Sequence, residues 1–338
     1  MGLLCSKYTP RQVGLEVHAN DEIWTRVLCI HDGCPRNSSR SEPTERGKKQ
    51  PSHSEIPGGG GVGDHRWNYL YSDRSISVAN QRTAATRRPP YGWDTRRAYG
   101  WGDVATPDVA AIDAHIQRAD FVLVTHTHYD HILDVPHIAL KTRAAVIGTE
   151  STENVMRAYG VPEKQLITVR GGEDYDFGVF SVKVIPSIHS PLDHKHYFSS
   201  KTAPASMKAP LTLQQMHPEG GTLAYLLRFH DHQILVFGGM NYIEREIQGL
   251  EPDVVLVGAG SSRKEIYDYS GRLMRDLHFP PLVLPTHWDN LLAPYDASQQ
   301  SSVDALQSFI QEIRAASPKT RIVVPKYFEA IPLEPELK

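Results

Sequence analysis

Residues 121–131 read Phe-Val-Leu-Val-Thr-His-Thr-His-Tyr-Asp-His. An apolar run, Phe121 to Val124, is followed at once by His126, His128, Asp130 and His131, all strong metal-binding side chains. The run is short and rich in β-branched residues, so it predicts a buried strand. In an extended segment alternate side chains share a face. His126, His128 and Asp130 are therefore expected to point one way, with His131 following as the chain turns. No fold needs such a cluster for stability. Imidazole suits Zn²⁺, Fe and similar ions, and a carboxylate can join it.

The rest of the chain supplies partners. His189 follows a strand-like run at 180–186, and His287 follows another at 282–285, within Pro-Thr-His-Trp. Each histidine lies just past a strand end, where a sheet presents functional groups on loops. The candidate ligands are thus His126, His128, Asp130, His131, His189 and His287.

These motifs resemble the metallo-β-lactamase superfamily of hydrolases. Its hallmark His-x-His-x-Asp-His after a strand is matched by His126, His128, Asp130 and His131, and its two later lone histidines by His189 and His287. The resemblance covers about residues 105–330. The Pro-Thr-His-Trp ending looks most like the branch of ascorbate-phosphate lactonases and N-acyl-phosphatidylethanolamine phospholipase D. The resemblance implies an α/β fold, an αββα sandwich of two mixed sheets flanked by helices. It also implies a zinc hydrolase that activates water. His126, His128 and His189 would hold the first metal, and Asp130, His131 and His287 a second. Asp130 is also the candidate general base. Iron-dependent, oxygen-reducing relatives place a glutamate where His128 stands, so the all-histidine version favours zinc hydrolysis.

One departure stands out. Relatives carry a metal-bridging aspartate after a strand, in a Gly-Asp pair. Here the strand 233–237 is followed by Gly238-Gly239-Met240-Asn241, and Met240 is read at the aspartate's position. A thioether is a poor ligand for a borderline cation and carries no charge to bridge two of them. One tight zinc is therefore expected and a second is doubtful, with Asn241 or Glu244 as the nearby substitutes.

The chain has 338 residues, a net charge of −3 and 40% hydrophobic residues, enough for a sizeable core. Residues 1–100 hold 15 Lys/Arg against 10 Asp/Glu, whereas the remainder holds 21 against 29. An acidic catalytic region argues against a nucleic-acid partner. It favours a small-molecule substrate, an ester, lactone or phosphodiester. The competing readings are a metal-binding but catalytically silent interaction or sensing protein, and a nucleic-acid phosphodiesterase. No apolar run approaches the ~20 residues of a membrane span. Cys5, Cys29 and Cys34 all lie early in the chain, so the catalytic region fits a reducing, cytoplasmic compartment. Gly2 and Cys5, in Met-Gly-Leu-Leu-Cys-Ser, match a lipid-anchor pattern.

Residues 35–65, ending in Gly58-Gly59-Gly60-Gly61, have the composition of a disordered linker. Residues 66–100 show little periodicity. The expected division is a divergent, poorly ordered segment over 1–85 and a catalytic domain over 86–338. From residue 107 the pattern predicts helices near 109–116, 132–140, 151–159, 263–277 and 298–316. Strands are expected near 144–147, 166–169, 179–186, 222–229, 233–237, 254–257, 282–284 and 322–324. Tyr129, Tyr242 and Trp288 are candidate pocket walls, and His194 and His196 candidate pocket residues.

Overall fold

The computed structural model describes residues 102–326 and 331, except 179, 192–194, 196–200, 230–231 and 291–297. It also gives the backbone of three strands nearer the N-terminus. Of these, β1 (Val13–His18) and β2 (Val27–Asp32) pair antiparallel, and β3 is Tyr69–Ser72. Gly2, Cys5, His194, His196 and the linker at 35–65 lie outside the described residues. Among the described residues, no helix is long and apolar enough to cross a membrane.

Helix α1 (Val109–His115) leads into β4 (Phe121–Val124), the strand predicted from the apolar run. One helical turn, α2 (Tyr129–Ile132), and helix α3 (Val135–Thr142) follow, then β5 (Ala145–Gly148), α4 (Glu150–Ala158) and β6 (Leu166–Thr168). Strands β3, β4, β5 and β6 form a parallel sheet in that order. So β3, from a stretch whose sequence shows little periodicity and which precedes residue 85, is a strand of this sheet.

The second sheet has seven strands. Strand β7 (Asp174–Asp176) pairs antiparallel with β8 (Ser181–Ser187), β8 with β9 (Thr222–Phe229), and β9 with β10 (His232–Phe237). From β10 the pairing becomes parallel, through β11 (Val254–Gly258) and β12 (Leu282–Thr286) to β13 (Arg321–Ile322). The short helix α5 (Glu244–Ile247) follows β10, while α6 (Tyr269–Asp276) and α7 (Gln300–Ala316) flank β12.

Side-chain alternation sorts these strands into four layers. Phe121 and Leu123 of β4 face inward, meeting Val182, Val184, Tyr225, Leu227, Ile234 and Val236 of the large sheet. Val122 and Val124 face outward and pack under α1, α3 and α4 with Ile112, Ile138 and Val155. The outer face of the large sheet, including Leu235, Phe237, Val255 and Val283, packs under α6 and α7 with Leu273, Phe309 and Ile313. The molecule is therefore an αββα sandwich, and strands such as β4, β10 and β11 are buried on both faces, as their unbroken apolar runs require.

The expected helix over 263–277 is divided. A 3₁₀ turn at Ser261–Glu265 is separate from α6, and Asp268 between them has a left-handed φ of 41°. Buried Arg263 anchors the first piece, its Nε and Nη2 donating to the two carboxylate oxygens of Glu312 on α7. Helix α4 starts one residue earlier than expected, because Thr149 rather than Ser151 caps it.

Candidate metal centre

The loop after β4 begins extended, so His126 and His128 fall on one face, as expected. His128 then starts α2 with φ −65° and ψ 149°. From Tyr129 the chain turns by about 100° per residue instead of 180°. That rotation separates Asp130 from the face shared by His126 and His128, contrary to the expectation for an extended segment. It groups Asp130 with His131 instead.

Two trios result. His126, His128 and His189 have ligand atoms all within 4.8 Å of one another, and so do Asp130, His131 and His287. The first trio is held together edge to face: His128 lies 4.7 Å from His126 and 4.6 Å from His189, between ring centroids. The trios adjoin through His126 and His131, whose rings are 3.8 Å apart. In the second, the His131 Nε2 is 3.4 Å from the His287 Nε2 and 3.5 Å from Asp130 Oδ2. His287 reaches this place from a left-handed backbone, φ 51°, directly after β12.

Oxygen atoms fix the ring orientations. The Thr125 Oγ1 lies 3.3 Å from the His126 Nδ1 and 3.4 Å from the His131 Nδ1. The His189 Nδ1 donates to its neighbour's carbonyl, Ser190 O, at 2.9 Å, and the His287 Nδ1 is 3.1 Å from Thr286 Oγ1. The Nε2 atoms of His126 and His128 are buried. Burial, reinforced by charge on His126, His189 and His217, holds the His128 pKa well below its ordinary value. Burial also lowers that of His189, despite opposing carboxylates at Glu219 and Asp130. Imidazoles kept neutral, with one nitrogen engaged by oxygen and the other turned toward a shared centre, are a donor set suited to zinc-like ions.

Met240 is 6% exposed and packs in the outer core with Phe237, Tyr242 and Ala259, its sulfur 3.9 Å from Ser190 Oγ. Gly238 and Gly239 precede it and pack against the neighbours of His126 and His189. A Cβ on Gly238 would fall 2.3 Å from Thr125 Oγ1, and one on Gly239 2.4 Å from Ser190 Oγ. Both places are already filled by hydroxyls. Neither proposed substitute fills the gap: Asn241 spends its amide on His189 O and the Tyr242 N–H, and Glu244 pairs with Arg272.

The aromatic residues are packing groups. Tyr242 donates its hydroxyl to Tyr269 O at 2.9 Å within the outer core, Trp288 packs against the same core, and Tyr129 against the core under α1 and α3. Two residues absent from the sequence reading do reach the site. His217 stacks on His128 with ring centroids 4.8 Å apart and planes 11° from parallel, and burial brings its pKa down to about 4. Glu219, 8% exposed, accepts from Thr222 Oγ1 at 2.7 Å. Both come from an irregular segment before β9, where periodicity gives no signal.

The chain matches the family described as "Beta-lactamase superfamily domain" over residues 93–289. It therefore belongs to the metallo-β-lactamase superfamily of metallo-hydrolases. A "UPF0173 metal-dependent hydrolase" of Staphylococcus aureus (strain MRSA252) is 26% identical over 174 residues, 51% of this chain and 69% of the relative. Among solved structures, a metallo hydrolase of the archaeon Ignicoccus hospitalis is similar with TM-score 0.43 and 18% identity, over 69% of this chain and 87% of that one. The metallo-β-lactamase fold protein YhfI of Bacillus subtilis is similar with TM-score 0.48 and 11% identity, over 96% and 100%.

Proposed function

We propose that this chain is a zinc-dependent hydrolase that activates water to cleave a small ester, lactone or phosphodiester. The observation that carries the reading is the meeting of two ligand trios at the strand ends of both sheets. His126, His128 and His189 would hold one zinc tightly. Asp130, His131 and His287 would hold a second more weakly, because Gly238, Gly239 and Met240 offer no bridging carboxylate. Bound there, zinc supplies Lewis-acid polarisation of a carbonyl or phosphoryl oxygen and lowers the pKa of water. With the second position empty, Asp130, 17% exposed at its side chain, would serve as the general base that takes a proton from water. Thr125, Ser190 and Thr286 keep the rings aimed while this happens. The negative balance of residues 101–338 supports a small-molecule substrate rather than nucleic acid, and their lack of cysteine supports a cytoplasmic setting.

The test is metal analysis of the purified protein beside an ester, lactone and phosphodiester panel, with and without chelator. One tightly held zinc and chelator-sensitive turnover are expected. His126→Ala, His128→Ala and His189→Ala should each remove most of both. Retained zinc and turnover in all three variants would overturn the assignment.

A further inference from the structure

The segment between β8 and β9 is tied down before it reaches the metal centre. Ala203 N–H donates to Ser151 Oγ at 3.0 Å, and Asn154 Nδ2 donates to Ala203 O at 2.9 Å. Farther along, Leu211 N–H donates to the Tyr159 hydroxyl at 3.2 Å. Ala203, Leu211, Leu213 and Met216 are buried in the core under α4, and the hydrogen bonds to Ala203 account for the burial of Ser151 and Asn154 on that helix. A tight turn over 212–217 follows, closed by Met216 N–H to Thr212 O at 3.1 Å and His217 N–H to Gln214 O at 3.3 Å. The anchored turn delivers two contacts to one small place. The His217 ring lies flat on the His128 ring. Glu219 O accepts from Thr127 N–H at 3.0 Å, one residue before His128.

We propose that His217 is a positioning residue: its flat ring forms the wall that fixes the orientation of His128 toward the first metal. The His126 and His189 rings stand nearly perpendicular to the His128 ring, at 80° and 71°. The His217 ring alone among these lies parallel to it, at 11°, and so covers one whole face against rotation of His128 out of its own plane. The strap thus does for His128 what Thr125, Ser190 and Thr286 do for the other rings, but from a segment remote in sequence.

The inference rests on the proposed zinc site, and the experiment separates the two. Zinc affinity of full-length apo-protein is measured by chelator competition for the natural protein, His217→Ala, His217→Phe and His126→Ala, each with an apo-protein melting curve. His217→Ala is expected to weaken zinc binding about 10–100-fold, the range for groups that orient a ligand. His217→Phe, which keeps a flat ring, is expected to recover most of that loss. If His126→Ala loses zinc while folded His217→Ala binds as tightly as the natural protein, the positioning role is overturned alone. If folded His217→Phe is as weak as His217→Ala, the imidazole nitrogens matter rather than the wall, and the role is again overturned. If His126→Ala also binds normally, the zinc reading falls and takes this inference with it.

Discussion

Glu153 on α4 is 0% exposed, and neither carboxyl oxygen has a hydrogen-bond partner. Burial raises its pKa from an ordinary 4.5 to about 9, against the opposing pull of Arg157. The unfolded chain releases this proton near 4.5, whereas the folded chain keeps it to about 9. Between those values the folded state binds the extra proton, so stability must fall as pH rises and level off above the folded pKa. Each unit costs about 1.4 kcal/mol, so three units from pH 5 to pH 8 give a ceiling of about 4 kcal/mol. Relaxation around the carboxylate reduces that, and about 2 kcal/mol is a reasonable floor. Glu153→Gln keeps the shape and removes the titration. Urea unfolding of both proteins at pH 5 and pH 8 should show a variant-minus-natural stability difference that grows by about 2–4 kcal/mol toward pH 8. Comparing differences cancels every other titrating group and the fixed cost of burying an amide. An unchanged difference across that range would show that Glu153 is not held protonated, and a difference of opposite sign would refute the burial argument outright.

Arg263, 2% exposed, holds Glu312, Ser308 and the carbonyl groups of Ala259 and Gly260, so Arg263→Ala should cost about 3 kcal/mol or more in urea unfolding. Tyr225→Phe removes the hydroxyl that donates to Val124 O at 2.8 Å and Ile147 O at 3.2 Å, and should cost about 1–3 kcal/mol. Met240→Asp should lower the melting temperature by several degrees without tightening a second zinc in calorimetric titration, because the carboxylate would enter the outer core. A tighter second site in that variant would mean the side chain reaches the histidines after all.

The αββα order was expected from the family resemblance, and the unbroken apolar runs of β4, β10, β11 and β12 fit it, because such runs suit a sheet covered on both faces. The ligands at their ends were legible because strand ends fix where loops begin. What failed depended on distance through space. The extended-segment reading aimed Asp130 the same way as His126 and His128; helical rotation starting at Tyr129 turns it away from them, into the group with His131 and His287 to which the family resemblance had assigned it. Met240 was read at the bridging position by counting from a Gly-Asp pair; its side chain packs in the outer core, and Thr125 and Ser190 occupy the room a side chain on Gly238 or Gly239 would need. His217 left no trace, because its turn has neither helical nor strand periodicity and is anchored by buried polar groups on α4.

The two trios draw on both sheets, which sets a demand on the core. His126, His128, Asp130 and His131 follow β4 of the small sheet, while His189 and His287 follow β8 and β12 of the large one. Ligand geometry must hold within about 0.5 Å to be productive, so one sheet cannot slide on the other. Apolar packing between the sheets is strong but non-directional, and it leaves such sliding only weakly opposed. Directional contacts supply the missing restraint next to the ligands. The Tyr225 hydroxyl, carried by β9, reaches the carbonyl groups of β4 and β5. Leu223 N–H donates to Thr125 O at 2.8 Å, one residue before His126. The same Thr125 then aims His126 and His131 with its hydroxyl. Register between the sheets is thereby passed through one threonine to both trios, which is why a polar pair is buried at the centre of an otherwise apolar interface.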